Sequence, residues 1–229
     1  NDNKHVHMLH IDKALETFVK GVKPENAPKL FRVCFHAFLE ATPNLETLRL
    51  ALIRKVCVPF MLCVNNNTLM DILKVEATRI FGIIFPVLPE ITSPKPDSKP
   101  PMVDRLTTVA RIGAFHLVQA IFSALSHQDR ETLNPLVVPP KDIKAGSLSQ
   151  KAMRCAFAVR NKKHAEFASD VSGEVQLEYQ RAAYHCLSTV LMKAKPSNIK
   201  FFEVFGFTED IKKGDLLWEH AVDLESKFS

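Results

Sequence analysis

Apolar residues recur every third or fourth position along nearly the whole chain, the spacing of helices with one buried stripe. Residues 9–20 place Ile11, Ala14, Leu15 and Phe18 on one face, with Gly21 at the expected C-cap and Pro24 beyond it. A second helix, starting near Asn26, carries Leu30, Val33, Cys34 and Phe38 on one face, widened by Phe31 and Phe35. A third, from Asn44, carries Leu45, Leu48, Leu52 and Val56, with Arg49, Arg54 and Lys55 mainly off that stripe. Pro59 is expected to kink or end it, because proline has no N–H for the helical ladder. The asparagine run 65–67 reads as a turn, after which Asn67 or Thr68 caps a helix aligning Leu69, Leu73, Ala77, Ile80 and Ile84.

Residues 86–101 hold six prolines in sixteen positions and read as an extended, exposed loop. They divide the chain into helical pairs over 1–85 and further pairs of the same array over 102–229. A long helix follows, with Val103, Leu106, Ala110, Ala114, Leu117, Ile121 and Leu125 in register, and then a looser stretch with prolines at 135, 139 and 140. The stripe resumes with Leu148, Ala152, Cys155, Ala156 and Val159, breaks over the polar residues 160–174, and returns with Val175, Tyr179, Ala182, Cys186 and Val190 before Pro196. The tail reads as two short helices with an aromatic cluster. Glycine, the residue of tight turns and hairpins, occurs only 7 times in 229 residues, which counts against an all-β fold. The expected fold is all-α: about eight helices in degenerate HEAT-like pairs stacked as an α-solenoid. No strict repeat signature recurs.

Candidate chemistry is thin. His185 and Cys186 adjoin, but neighbours on a helix point about 100° apart, so they cannot serve as base and nucleophile. Cys186 is expected to face inward and His185 to lie at the edge near Arg181. His5, His7 and His10 lack the i,i+4 spacing of a helical metal pair. His36 and His116 read as polar-tipped packing residues. Five scattered cysteines without a C-x-x-C read as reduced, buried thiols in a cytosolic or nuclear protein. Phosphate-binding loops, the G-x-S-x-G elbow and the kinase H-R-D and D-F-G triplets are absent, so no catalytic residue, metal or cofactor is expected. No apolar run approaches the ~18 residues of a membrane span. The first ten residues show no secretory leader and no initial methionine, which reads as a piece of a longer chain.

The net charge is +5. Much of the basic character falls in residues 141–164, where Lys141, Lys144, Lys151, Arg154, Arg160, Lys162 and Lys163 face one aspartate. Such a run can contact phosphates or an acidic partner, or it is a solvated helix face and loop. Aromatic residues do not interleave at stacking spacing, which weakens a single-strand reading. Ser149 and Gln150 form an SQ dipeptide within it.

The segment QLEYQRAAYHCLSTVLM followed by NIKFFEVFGFTED resembles the mid-chain helical-repeat region of the DNA-dependent protein kinase catalytic subunit family, among the phosphatidylinositol-3-kinase-related kinases. Ala182, Ala183, Tyr184, Cys186 and Ser188 carry the first part of the resemblance. Ile199, Lys200, Phe201, Phe202, Gly206 and Phe207 carry the second. Residues 50–73 and 112–126 are similar to segments of the same region, in the same order across 45–210. The resemblance is to a divergent homologue. It implies a scaffold preceding a serine/threonine kinase domain, in a nuclear protein of double-strand break repair by non-homologous end joining. It implies the rest of the parent chain, the Ku heterodimer and double-stranded DNA ends as partners. ATP and Mg are implied only for the parent's kinase domain. The family phosphorylates Ser or Thr before Gln, which makes Ser149 a candidate acceptor. An unrelated helical-repeat adaptor is the alternative reading, and an all-α enzyme is a further one.

Overall fold

The computed structural model describes residues 13, 14, 17, 18, 20–23, 25–40, 50–89, 101–137, 147–159 and 166–193, and for 34–40 the backbone alone. Among them are seven α-helices: α1 (Ala27–Glu40), α2 (Val58–Cys63), α3 (Asn66–Val87), α4 (Arg105–Ala124), α5 (His127–Val137), α6 (Leu148–Ala158) and α7 (Gly173–Lys193). A π-helical turn, Ile53–Cys57, leads into α2. The all-α expectation holds.

The contacts form two rows. In one, the π-turn and α2 pack on α4, and α4 packs on α7; in the other, α3 packs on α5 and α5 on α6. The rows meet where α3 touches α4 and where α6 touches α7. Chain order does not alternate between them, because α5 and α6 are consecutive in one row while α4 and α7 adjoin in the other. The buried stripes converge on one core, which includes Phe60, Leu73, Ile80, Phe115, Leu117, Ile121, Met153, Tyr179 and Val190. Helix α4 is apolar enough for its length to cross a bilayer, but 61% of that stretch is buried among the other helices.

Local chemistry differs from the sequence reading at five places. First, of the two effects expected of Pro59, a kink or a stop, the stop does not occur. The proline occupies the first turn of α2, where a missing N–H costs least, and the preceding π-turn absorbs the mismatch, closed by Val58 N–H on the Ile53 carbonyl. Second, the cap of α3 is Asn65, not Asn67 or Thr68. Its side-chain oxygen accepts from the Asn67 and Thr68 amides at 2.8 and 3.4 Å. Asn65→Ala is expected to lower stability by about 1 kcal/mol in urea unfolding.

Third, α3 runs through Pro86 to Val87, so the proline-rich stretch opens inside a helix. Pro86 sits in the last turn, and Leu88 N–H still reaches the Ile84 and Phe85 carbonyls at 3.3 and 3.1 Å. Fourth, Val103 is not helical. Met102–Val103 (β1) pairs in parallel with Glu166–Phe167 (β2), and α4 starts after Asp104, whose side chain caps Thr107 N–H at 2.8 Å. The Thr107 hydrogen bonds hold that carboxylate below its ordinary range. Fifth, the looser stretch after α4 is itself helix α5. Ser126 and Asp129 bond reciprocally at its start, the Ser126 amide donating to Asp129 at 3.0 Å and the Asp129 amide to the Ser126 hydroxyl at 3.2 Å.

Candidate functional site: helix seams and the basic face

The α4–α7 seam is built from small and aromatic residues. Gly113, Ala114 and Ala120 of α4 and Ala182 and Ala183 of α7 are buried, which lets the helices approach closely. Phe115 meets Tyr179 with ring centroids 6.0 Å apart, and Tyr179 meets Phe167 of β2 edge-on at 6.0 Å. Burial pushes the Tyr179 phenol up to about 12, opposed by Arg111. Arg111 also ties the rows together, its Nε donating to the Val87 carbonyl at the end of α3 at 3.1 Å.

Two polar clusters that the sequence did not announce hold the seam. At one end, Arg54 of the π-turn donates Nε and Nη2 to His116 Nε2 at 3.3 and 3.1 Å, and Nη2 also to Glu178 of α7. His116 lies half-buried, and burial, then Arg54, then His185 lower its pKa to about 4. It is therefore neutral at physiological pH, with Nε2 the acceptor. At the other end, Arg130 is only 4% exposed. Its guanidinium donates to the Leu125 carbonyl at 2.6 Å and to the Lys193 carbonyl, and lies 5.5 Å from the Phe122 ring centroid. Burial lowers its pKa.

The adjoining pair in the middle of α7 falls as the stripe implies: Cys186 is fully buried and His185 is exposed. Burial, with Cys155 nearby, raises the Cys186 thiol well above its ordinary range, so it is inert at neutral pH. Cys57, Cys63, Cys155 and Cys186 are not in disulfides. Among the described residues no group of His, Cys, Asp and Glu is placed to hold a metal ion.

Of the basic run, Lys151 and Arg154 lie in described residues. Lys151 is half-buried with its ammonium 4.7 Å from the Phe85 ring centroid, so one face of it is committed to packing, while Arg154 is exposed. Lys141, Lys144, Arg160, Lys162 and Lys163 lie outside the described residues, as do His5, His7, His10 and the aromatic tail. Ser149 is half-buried in the first turn of α6. That turn is fixed by a Ser147–Gln150 capping box and by Asn134 of α5, whose side chain accepts the Leu148 amide at 2.6 Å.

Packed helices around a continuous apolar core, with little strand, define an all-α class of helical fold. Residues 49–229 match the CC3 family of the DNA-dependent protein kinase catalytic subunit, and the chain belongs to that family. It is 26% identical over all 229 residues to the DNA-dependent protein kinase catalytic subunit of Dictyostelium discoideum, of which it spans 5%.

Proposed function

We propose that this chain is a non-catalytic helical scaffold within a DNA-repair serine/threonine kinase, acting in the nucleus during double-strand break repair by non-homologous end joining. The observation that carries the scaffold reading is the use of two arginines, one buried (Arg130) and one exposed (Arg54). Arg130 bonds backbone carbonyls rather than lining a cleft, and Arg54 bridges three elements. Such links transmit position, and small shifts accumulate along stacked helices. Family membership supports the repair role, with the rest of the parent chain, Ku and double-stranded DNA ends as partners. ATP and Mg would serve the parent's kinase domain.

In this reading Lys141, Lys144, Lys151, Arg154, Arg160, Lys162 and Lys163 are a phosphate-contact face, and Ser149 is a phosphate acceptor. A phosphate in the first turn of α6 would meet the favourable end of the helix dipole. Reaching Ser149 requires that turn to open, because Gln150 is held in the capping box. The chain is expected to bind duplex DNA weakly and without sequence preference. The salt slope should fall by about 1 for each lysine reversed among Lys162 and Lys163. Electrophoretic mobility shifts across a salt series check this. Nanomolar binding that persists in high salt would overturn the phosphate-face reading.

A further inference from the structure

The π-turn Ile53–Cys57 is the least orthodox backbone among the described helices, and its surroundings give it a mechanical reading. Its i→i+5 bonding is poorer than an α-helical ladder, and Pro59 just beyond withholds a donor. The turn packs against α1 and against α4. A bend there would change the packing of the turn on α1 and α4. Arg54 leaves the turn to reach both α4 and α7, bonding residues 62 and 124 positions away.

We propose that the π-turn is a bending joint and that the Arg54–His116–Glu178 bridge is its lock, held shut while His116 is neutral and accepts from Arg54. The groups that face His116 are few. Arg54 comes from the π-turn, His185 comes from α7, and Gln119 lies one turn along α4. Glu178 of α7 reaches the cluster through Arg54. Helix α2 carries no acidic or basic residue. On α3, Lys74 pairs with Asp71, while Arg79 and Arg32 of α1 pair with Glu76. A proton on His116 removes the acceptor and sets its charge against Arg54 and His185. The folded value of about 4 lies below the ordinary 6.5. The open joint therefore takes up the proton first, and the lock weakens as pH falls from about 6.5 towards 4.

The test is hydrogen exchange by mass spectrometry on the intact parent protein, read as protection factors in peptides covering 50–63. At pH 7, Arg54→Gln is expected to lower protection there about tenfold and leave α5 and α6 unchanged. Arg54→Lys should not restore it, since one ammonium cannot serve both partners in the fork geometry. In the wild type, protection at 50–63 should fall by more than about tenfold between pH 7 and pH 5. His116→Gln, which keeps a neutral acceptor that does not titrate, should remove that acid-dependent fall. The lock is disproved if Arg54→Gln leaves 50–63 protected, if protection is lost evenly across all helices, or if His116→Gln retains the wild-type pH dependence.

Discussion

Phe115→Ala is expected to lower the stability of the chain by about 3–5 kcal/mol. The ring is fully buried at the middle of α4 and meets the Tyr179 ring at 6.0 Å, tilted by 41°. Its removal therefore deletes apolar contact and an aromatic pair together, at a seam that cannot close over the gap. The small residues that let α4 and α7 approach, Ala114, Ala182 and Ala183, offer no bulk to swing into the space. Tyr179 also holds Phe167 edge-on, so the short β1–β2 pairing should loosen with it. Urea unfolding measures the loss, with Val75→Ala as the control, since Val75 is 71% exposed and should change stability little. A second readout is the Tyr179 phenol. Burial holds it near 12, and water entering the cavity should bring its ultraviolet titration back towards 10. A loss below about 1 kcal/mol would mean that α4 and α7 do not share the core that their packing implies.

The helices that were legible in the sequence are those whose signal is local. Leu69, Leu73, Ala77, Ile80 and Ile84 are all buried on α3, and Tyr179, Ala182, Cys186 and Val190 on α7, because a 3.6-residue period needs no knowledge of the partner. Side-chain chemistry at helix ends was half legible. Asn65 lies within the turn that the sequence marks, yet the capping position falls two or three residues earlier than expected. Prolines misled in the same direction three times. Pro59, Pro86 and Pro135 all lie inside helices, at first or late turns or beside a π-turn, where a missing N–H is tolerated. The polar clusters were not legible at all. Arg54, His116 and Glu178 are separated by 62 and 124 positions, and only the docking of α4 between the π-turn and α7 brings them together. His116 is the polar-tipped packing residue that its place in the stripe implies, but the group it packs with lies in the distant π-turn.

Arg130→Met is expected to cost about 2–5 kcal/mol, although the sequence around it, HQDRETL, reads as a solvated stretch. Methionine keeps most of the apolar stem but not the guanidinium's place over the Phe122 ring, so the loss reports the hydrogen bonds and that contact together. The guanidinium serves two helices at once. Helix α4 finishes at Ala124 and leaves carbonyls with no intrahelical donor, and the described part of α7 runs to Lys193. Arg130 supplies one donor to each helix, through Leu125 and Lys193, from the second turn of α5. Its charge also lies against the negative end of the α4 dipole, which helps a buried cation to be tolerated there despite desolvation. Lysine should recover less than half of the loss, because a single ammonium on a flexible stem cannot hold the two-pronged geometry. The expected readout is local before it is global. Amides in the last turns of α4 and α7 should lose hydrogen-exchange protection first, while the Phe115–Tyr179 part of the seam keeps it. Unchanged protection at those two ends would show that Arg130 fills space and does not join the helices.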